Sequence, residues 1–277
     1  MIFVDAHVHI YNCFDLKVFF NAALNNFKKE AAKQGKENNY ASVLILTDWS
    51  GQNWFKRLGV YANQNGGKEN KKLGNLTFSI TSESCSILVR RDDGESLFLI
   101  SGRKIITSEN LEVLALATDT EFENGLPLNK TIQVIRDSCS IPVIPWAVGK
   151  WMGRRGKILS RLLESAGESE FFLCDNGNRP IFWPRPSHFG VGEKRGIRVI
   201  SGSDPLHFAS EVHRVGSFGF SIQETINHEQ PAKHLQDILM DQSTTFKLFG
   251  NLENPYRFIK NQLAMQVLKR KWTGAYE

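Results

Sequence analysis

His7 and His9 stand two residues apart at the end of an apolar opening segment, Ile2–His9. In a strand, that alternation turns both imidazoles to one face. Two ring nitrogens side by side at a strand end can share a divalent cation. Asp5 falls on the same side by the same count, and Asp15 follows soon after. An isolated His-x-His pair is more often two strand histidines satisfied by backbone, but here other strand ends carry metal-competent groups as well. One apolar run closes as Leu46-Thr47-Asp48-Trp49, and a late one as Ile200-Ser201-Gly202-Ser203-Asp204-Pro205-Leu206-His207. Asp204 is placed to ligate a metal or to take a proton from water activated by one, with a helix N-cap as its ordinary alternative. His207 either joins that site or begins the helix that follows.

Two further stretches carry charge suited to anions. Pro145-Trp146-Ala147-Val148-Gly149-Lys150-Trp151-Met152-Gly153-Arg154-Arg155-Gly156-Lys157 interleaves glycines with cations between a strand and a helix. Backbone N–H groups, a helix N-terminus and arginine forks can together form an oxyanion cradle. A solvated basic loop is the plain alternative, and the spacing is not that of a P-loop. Cys174-Asp175-Asn176-Gly177-Asn178-Arg179-Pro180 loads another strand end with a carboxylate, amides and a guanidinium. Asp175 is a candidate ligand or a partner for Arg179, and Asn176-Gly177 equally reads as turn chemistry. Glu211, His213 and Arg214 fall on an expected helix, close enough in sequence to support such a site.

The elements that must position these groups alternate. Asp15–Lys33 reads as an amphipathic helix, Ser42–Thr47 as a strand buried on both faces, and Trp54–Tyr61 as a short helix. Asn63–Asn75 is polar and glycine-rich, a surface loop. Residues 76–118 break the pattern with successive strand candidates, Leu76–Ser82, Ser86–Arg91 and Ser96–Ile100, the last two joined through the hairpin signal Asp92-Asp93-Gly94. Lys104–Thr107 and Leu111–Ala117 follow. Then βα units resume: a helix near Leu128–Ser138, strand Ile141–Ala147, a helix from about Gly156 to Ala166, strand Phe171–Asp175, a proline-rich loop through Gly196, and strand Ile197–Gly202. Helices near Ala232–Met240 and Pro255–Lys271 end the chain, the last with Asn254 as N-cap and Pro255 at its first position. This order describes a barrel or a doubly wound sheet, with chemistry at the C-terminal ends of the strands. A single domain spanning the 277 residues is expected.

The order His-x-His, strand-Thr47-Asp48, strand-Gly202-Ser203-Asp204 and His207 resembles the PHP (polymerase and histidinol phosphatase) metal-dependent phosphoesterases. Leu97–Thr107 followed by Leu111-Glu112-Val113-Leu114-Ala115-Leu116 is similar to that family's strand ending in Gly-x-Glu, a turn and a second strand. The resemblance covers roughly Ile2–Ala117 and Ile197–His207. It implies a distorted (β/α)7 TIM-like barrel with an antiparallel insertion and a metal cluster at its mouth. The chain departs from the family at three points. Trp49 stands where a histidine is usual, Lys104 where Gly-x-Glu supplies a bridging carboxylate, and Asp204 and His207 are one residue further apart. An ammonium cannot ligate a metal, and indole offers only an N–H donor. Lys104 either neutralises a substrate anion, a fixed charge in place of a lost cation, or points to solvent.

These readings converge on a metal-dependent hydrolase of a phosphoester or other small anionic substrate, using one or two Mn, Zn or Fe ions. His7, His9, Asp48, Glu112, Asp175 and Asp204 are the candidate ligands. Asp204, His207 and Lys150 are the candidate catalytic groups, and Lys104, Lys150, Arg154, Arg155 and Arg179 the candidate anion binders. Two alternatives stand beside it: a deacetylase or lactonase built on a carboxylated Lys150, and a degenerate barrel that binds an anion, nucleic acid or a protein. Lys plus Arg exceed Asp plus Glu by 34 − 29 = 5. That mild excess, with the Lys269-Arg270-Lys271 segment, permits nucleic acid but does not favour it, because no RNA-module motif accompanies it. Cys13, Cys85, Cys139 and Cys174 show no paired spacing and are expected to be reduced, buried hydrophobes. With no leader-like start and no apolar run of spanning length, a cytoplasmic location is expected.

Overall fold

In a computed structural model, residues 1–63, 71–168 and 170–273 are described. The element order is β1 (Ile2–Val8), α1 (Leu16–Lys33), β2 (Ala41–Trp49), α2 (Trp54–Asn63), β3 (Lys71–Leu73), β4 (Leu76–Ile80), β5 (Ser86–Arg91), β6 (Ser96–Ile106) and β7 (Glu112–Leu116). It continues through α3 (Leu128–Asp137), β8 (Ile141–Pro145), α4 (Gly153–Ser165), β9 (Phe172–Asn176), α5 (Ser187–Glu193), β10 (Val199–Gly202) and a 3-10 turn (Ala209–Arg214). The chain then forms β11 (Phe218–Ile222), α6 (Pro231–Met240), β12 (Lys247–Gly250) and α7 (Pro255–Thr273).

The sheet runs β10-β9-β8-β7-β6-β2-β1-β11-β12, with β5, β4 and β3 attached in series to β6. It curls into a nearly closed, barrel-like mixed α/β structure: β10 returns to β1, where the Asp204 N–H donates to the His7 carbonyl at 2.8 Å. Only glycine permits this closure at position 202, because a Cβ there would stand 2.4 Å from the His7 nitrogen. β7 is antiparallel to both neighbours, and β11 is antiparallel to β1. β7 lies within the antiparallel stretch expected over residues 76–118, whereas the antiparallel pairing of β11 with β1 was not expected. The consequence for function is direct. An antiparallel strand brings its first residue, not its last, to the mouth, so Glu112 arrives there at the start of β7.

Three buried clusters divide the interior. Ile2, Val4, Ala6, Val43, Ile45, Ile100, Leu114, Val143, Cys174, Ile200 and Phe220 fill the inside of the sheet, joined by Ala232, Leu235, Ile238 and Leu239 of α6. Because Ile2 begins β1 and packs in this cluster, α6 closes the end opposite the histidines. Each of its buried Leu and Ile side chains contributes about 1.5–3 kcal/mol. Phe3, Leu44, Leu46, Leu97 and Leu99 face outward against α1 and α2, and Val113, Ala115, Ile144 and Leu173 face α3, α4 and α5. α1 forms because its buried residues, Phe19, Phe20, Ala23, Leu24 and Phe27, recur at helical spacing, and the Asp15 side chain caps it by accepting from the Val18 N–H.

Several local expectations are corrected. Lys104–Ile106 is not a separate strand but the end of β6, a single run of 11 residues that β2 pairs from Phe98 to Lys104. Lys71–Leu73, expected within a loop, pairs with β4, while residues 64–70 of that loop lie outside the described residues. The proline-rich segment before Gly196 contains α5. β11, paired with β1, and β12, paired with β11, were not expected from the sequence. Cys13 and Cys139 are exposed and only Cys174 is buried, so the cysteines are not uniformly core residues. At α7 the Asn254 side chain accepts from the Tyr256 N–H, as an N-cap does. The Lys269-Arg270-Lys271 side chains lie outside the described residues. No helix among the described residues is long and apolar enough to cross a membrane.

Candidate metal centre

β1 does not keep one register. Asp5 pairs with Leu44 but Val8 pairs with Leu46, so β1 carries one extra residue between them. Such a bulge reverses which side chains face inward. Below it Ile2, Val4 and Ala6 point into the barrel; beyond it His7 and His9 do. Asp5 is therefore not on the histidine face, contrary to the simple alternation. Its buried carboxylate instead accepts from the Ser203 N–H at 2.8 Å, the Gly216 N–H at 2.9 Å and the His7 N–H at 3.4 Å. That pins the bulge to the segment following β10. Burial pushes the Asp5 carboxyl up to about 6, against the pull of these donors.

The inward faces of four elements meet at this point. His7 Nε2 and His9 Nε2 lie 3.0 Å apart. Glu112 Oε1 is 3.4 Å from His7 Nε2, and Asp204 Oδ1 is 3.6 Å from His7 Nε2 and 3.5 Å from His9 Nε2. His9 Nδ1 is 2.8 Å from the Thr47 carbonyl, which can only accept. The ring proton therefore sits on Nδ1, and the Nε2 lone pair faces the cluster. At most one proton, on His7 Nε2, serves three surrounding acceptors. A cation resolves this surplus of lone pairs, and bonds of about 2.0–2.2 Å to one ion place neighbouring donors at about these separations. His7, His9 and Glu112 form the group of potential metal ligands among the described residues, and Asp204 joins it through its contacts to both imidazoles. The residues present thus fit a divalent ion.

The candidate ligands have specific supports. Asp204 adopts a left-handed φ of 42°. It is held there by Asn176 Nδ2, donating to Oδ2 at 2.5 Å, and by Asn178 Nδ2, donating to its carbonyl at 2.5 Å. On the far side of Glu112, Lys104 Nζ is 3.2 Å from Oε2. Burial opposes ionisation of Glu112, but the Lys104 ammonium and then His7 overcome it and hold its carboxyl far below the usual range. For His7 burial pulls the pKa down, yet Asp204 and then Glu112 outweigh it and leave it raised. His9 is driven well below its ordinary value by burial, Lys104 and His7. Rings line the rim: Tyr11 stacks on His207 at 4.6 Å, and Trp49 lies 5.6 Å from His9.

No family model matches the chain, and no curated protein matches it by sequence. Solved structures do. The chain shares its fold with PsfC. That protein, from Pseudomonas syringae, is 14% identical with a TM-score of 0.53, over 96% of this chain and 98% of PsfC. The likeness to PsfC is one of fold alone. The lesion-specific endonuclease PfuEndoQ from Pyrococcus furiosus is 12% identical at a TM-score of 0.49, over 89% of this chain and 57% of the enzyme. Endonuclease Q in complex with a 27-mer duplex bearing an abasic lesion is 12% identical at 0.47, over 85% and 55%.

The remaining candidates lie elsewhere. Asp48 shares the outward face of β2 with Leu44 and Leu46, and its Oδ2 accepts from the Phe55 N–H of α2 at 2.9 Å. Asp175, outward on β9, is clasped by Arg179 through Nε at 2.8 Å and NH2 at 2.6 Å; the Arg179 charge is spent on that partner. Lys150 Nζ donates to the Asn110 carbonyl and side-chain oxygen at 3.1 and 3.0 Å. Arg155 donates to the Gly149 carbonyl at 2.8 Å, and Arg154 is exposed in the first turn of α4. His207 is one ring removed from His9, beyond Tyr11. Glu211 and Arg214 belong to a buried ion cluster behind the site. Thr47, Asn176, Asn178 and Gly202, which the sequence offers only as members of their strand-end motifs, position the cluster in the structure.

Asp48 gives a first test of these placements. Burial raises its carboxyl from 3.8 to about 6, with the Phe55 N–H and Arg103 pulling the other way. The folded pKa lies above the unfolded one, so the folded state prefers the proton. The penalty for ionising it grows as pH rises from about 4 to about 6, approaching about 3 kcal/mol at neutral pH. Asp48→Asn keeps the oxygen that accepts from Phe55 and removes the charge. Urea unfolding at about pH 7.5 is expected to show the variant more stable by about 1–2 kcal/mol, an advantage that vanishes near pH 4. A variant less stable at neutral pH would show that Arg103 outweighs burial.

Proposed function

We propose that the protein is a metal-dependent hydrolase of a small anionic ester, a phosphoester foremost, acting at the mouth of the barrel. The observation that carries this reading is the convergence of His7, His9, Glu112 and Asp204, from β1, β7 and the end of β10, on one point. A bound divalent cation there would lower the pKa of a coordinated water and polarise the substrate's acceptor oxygen. The chain supplies the rest. Thr47 fixes the tautomer of His9, and Asn176 with Asn178 orients Asp204. Asp204, the more exposed of the two carboxylates, offers Oδ1 to the reacting water and accepts its proton. His207, at the rim, is suited to the departing group.

The carboxylated-lysine alternative finds less support. Lys150 donates two hydrogen bonds to Asn110, which a carbamate oxygen could not do.

Metal analysis of the purified chain, followed by a substrate panel, tests the proposal. About one equivalent of Mn, Zn or Fe per chain is expected. Hydrolysis of phosphomonoesters or phosphodiesters should be lost on chelation and restored by adding the metal back. A panel that also holds lactones, acetylated amines and a DNA oligonucleotide separates the alternatives. Activity confined to lactones or acetyl groups, or metal far below stoichiometric, would reject the reading.

A further inference from the structure

Glu112 uses its two oxygens for two different purposes. Oε1 faces His7 Nε2 at 3.4 Å, inside the ligand cluster. Oε2 faces the Lys104 ammonium at 3.2 Å. Carboxylates that bridge two metal ions divide their oxygens in the same way. Here one of the two positions is filled by a side chain of the protein itself. Lys104 and Glu112 reach each other because both lie on inward faces of neighbouring antiparallel strands, with Lys104 opposite Leu114 and Glu112 opposite Ile106. Side-chain exposure rises from 2% at His7 and 0% at His9, through 12% at Glu112 and 17% at Asp204, to 23% at Lys104. An anion entering from solvent therefore meets Lys104 before it meets the imidazoles.

Charge decides what that position does. Two neutral imidazoles and two carboxylates carry a charge of about −2, which a divalent ion cancels. With the ammonium the loaded site carries about +1, and without it nothing remains to favour an anion. An ammonium also repels a second cation at the place where Glu112 could bridge to one. We propose that Lys104 is a built-in second cation: it limits the centre to one metal ion and binds the anionic group of the substrate alongside that ion. This deepens the function proposed above and rests on it. The simpler role, a counter-ion that only satisfies Glu112, makes a different prediction.

The test is calorimetric and needs no turnover. The full chain is titrated with Mn2+, and the Mn2+-loaded protein is then titrated with inorganic phosphate. The wild-type chain should saturate at one Mn2+. Lys104→Met should still take one Mn2+, at equal or higher affinity because a repelling charge is gone, and lose phosphate affinity by about 10- to 100-fold, the worth of a charge-assisted hydrogen bond. Lys104→Glu should take a second Mn2+. Lys104→Gln keeps a donor for Glu112 Oε2 and serves the same comparison should the Met variant not fold. Phosphate bound equally by the wild type and the neutral variants, or two Mn2+ in the wild type, overturns the inference while leaving a metal hydrolase standing. A wild-type chain that takes no metal removes the functional reading instead.

Discussion

Replacing both His7 and His9 by alanine is expected to reduce bound metal from about one equivalent to less than about a tenth, with the barrel still folded. The argument runs from the ligand count. The pair supplies half of a four-donor set, and what remains is two carboxylates, one of them already drawn toward Lys104. Changing a residue that only supports a ligand costs about 10–100-fold in metal affinity, so deleting two ligands should cost about 10⁴-fold or more. The fold should survive because its packing lies below the bulge. Ile2, Val4 and Ala6 keep their places among the interior apolar residues, and Asp5 still ties β1 to Ser203 and Gly216. Metal analysis with circular dichroism reads both halves of the statement. Retained metal in a folded double variant would place the ion elsewhere.

Arg214→Ala is expected to cost about 3–5 kcal/mol of stability. Arg214 is one member of a closed ring of alternating charge. It pairs with Glu253 and lies 3.6 Å from Glu211, while Arg257 completes the circuit at 2.8 Å to Glu211 and 3.8 Å to Glu253. Glu211 and Glu253 are 1% and 4% exposed, so neither can turn to water when its partner goes. By contrast Lys233→Ala, which breaks the exposed Lys233–Asp237 pair, should cost less than about 1 kcal/mol. Urea unfolding of the two variants gives the comparison, and equal costs would contradict the ring's role. The same variant should loosen the metal centre by about tenfold. Arg214 donates to the Gly177 carbonyl at 2.6 Å, and Gly177 lies between the two asparagines that hold Asp204. The ion ring thereby links α7 to Asp204, a candidate ligand, without touching it.

Several local features of this protein were legible in its residues. Histidines two apart at a strand end, an aspartate just past another apolar strand, and the cap at Asn254 all follow from spacing and side-chain chemistry alone. So did the antiparallel strands of residues 76–118, whose turn residues announce them. Even the departure at Lys104 could be read, because an ammonium has no lone pair to give.

What the chain order could not settle was parity. β2 is buried on both faces, so Val43 and Ile45 look no different in sequence from Leu44 and Leu46. Only the assembled layers decide that Thr47 faces the cluster and Asp48 the outside helix. A bulge in β1 moves Asp5 off the histidine face, and no single-strand periodicity contains the neighbour that defines a bulge. β7 lies in the expected antiparallel stretch, but which of its residues stands at the mouth is fixed only by its pairing across the sheet, and that residue is Glu112. The opening histidines thus marked the candidate site, while the tertiary structure brought Glu112 and Asp204, rather than Asp48 or Asp175, beside them. Register and direction belong to contacts between residues far apart in sequence, and there the tertiary structure alone had the deciding information.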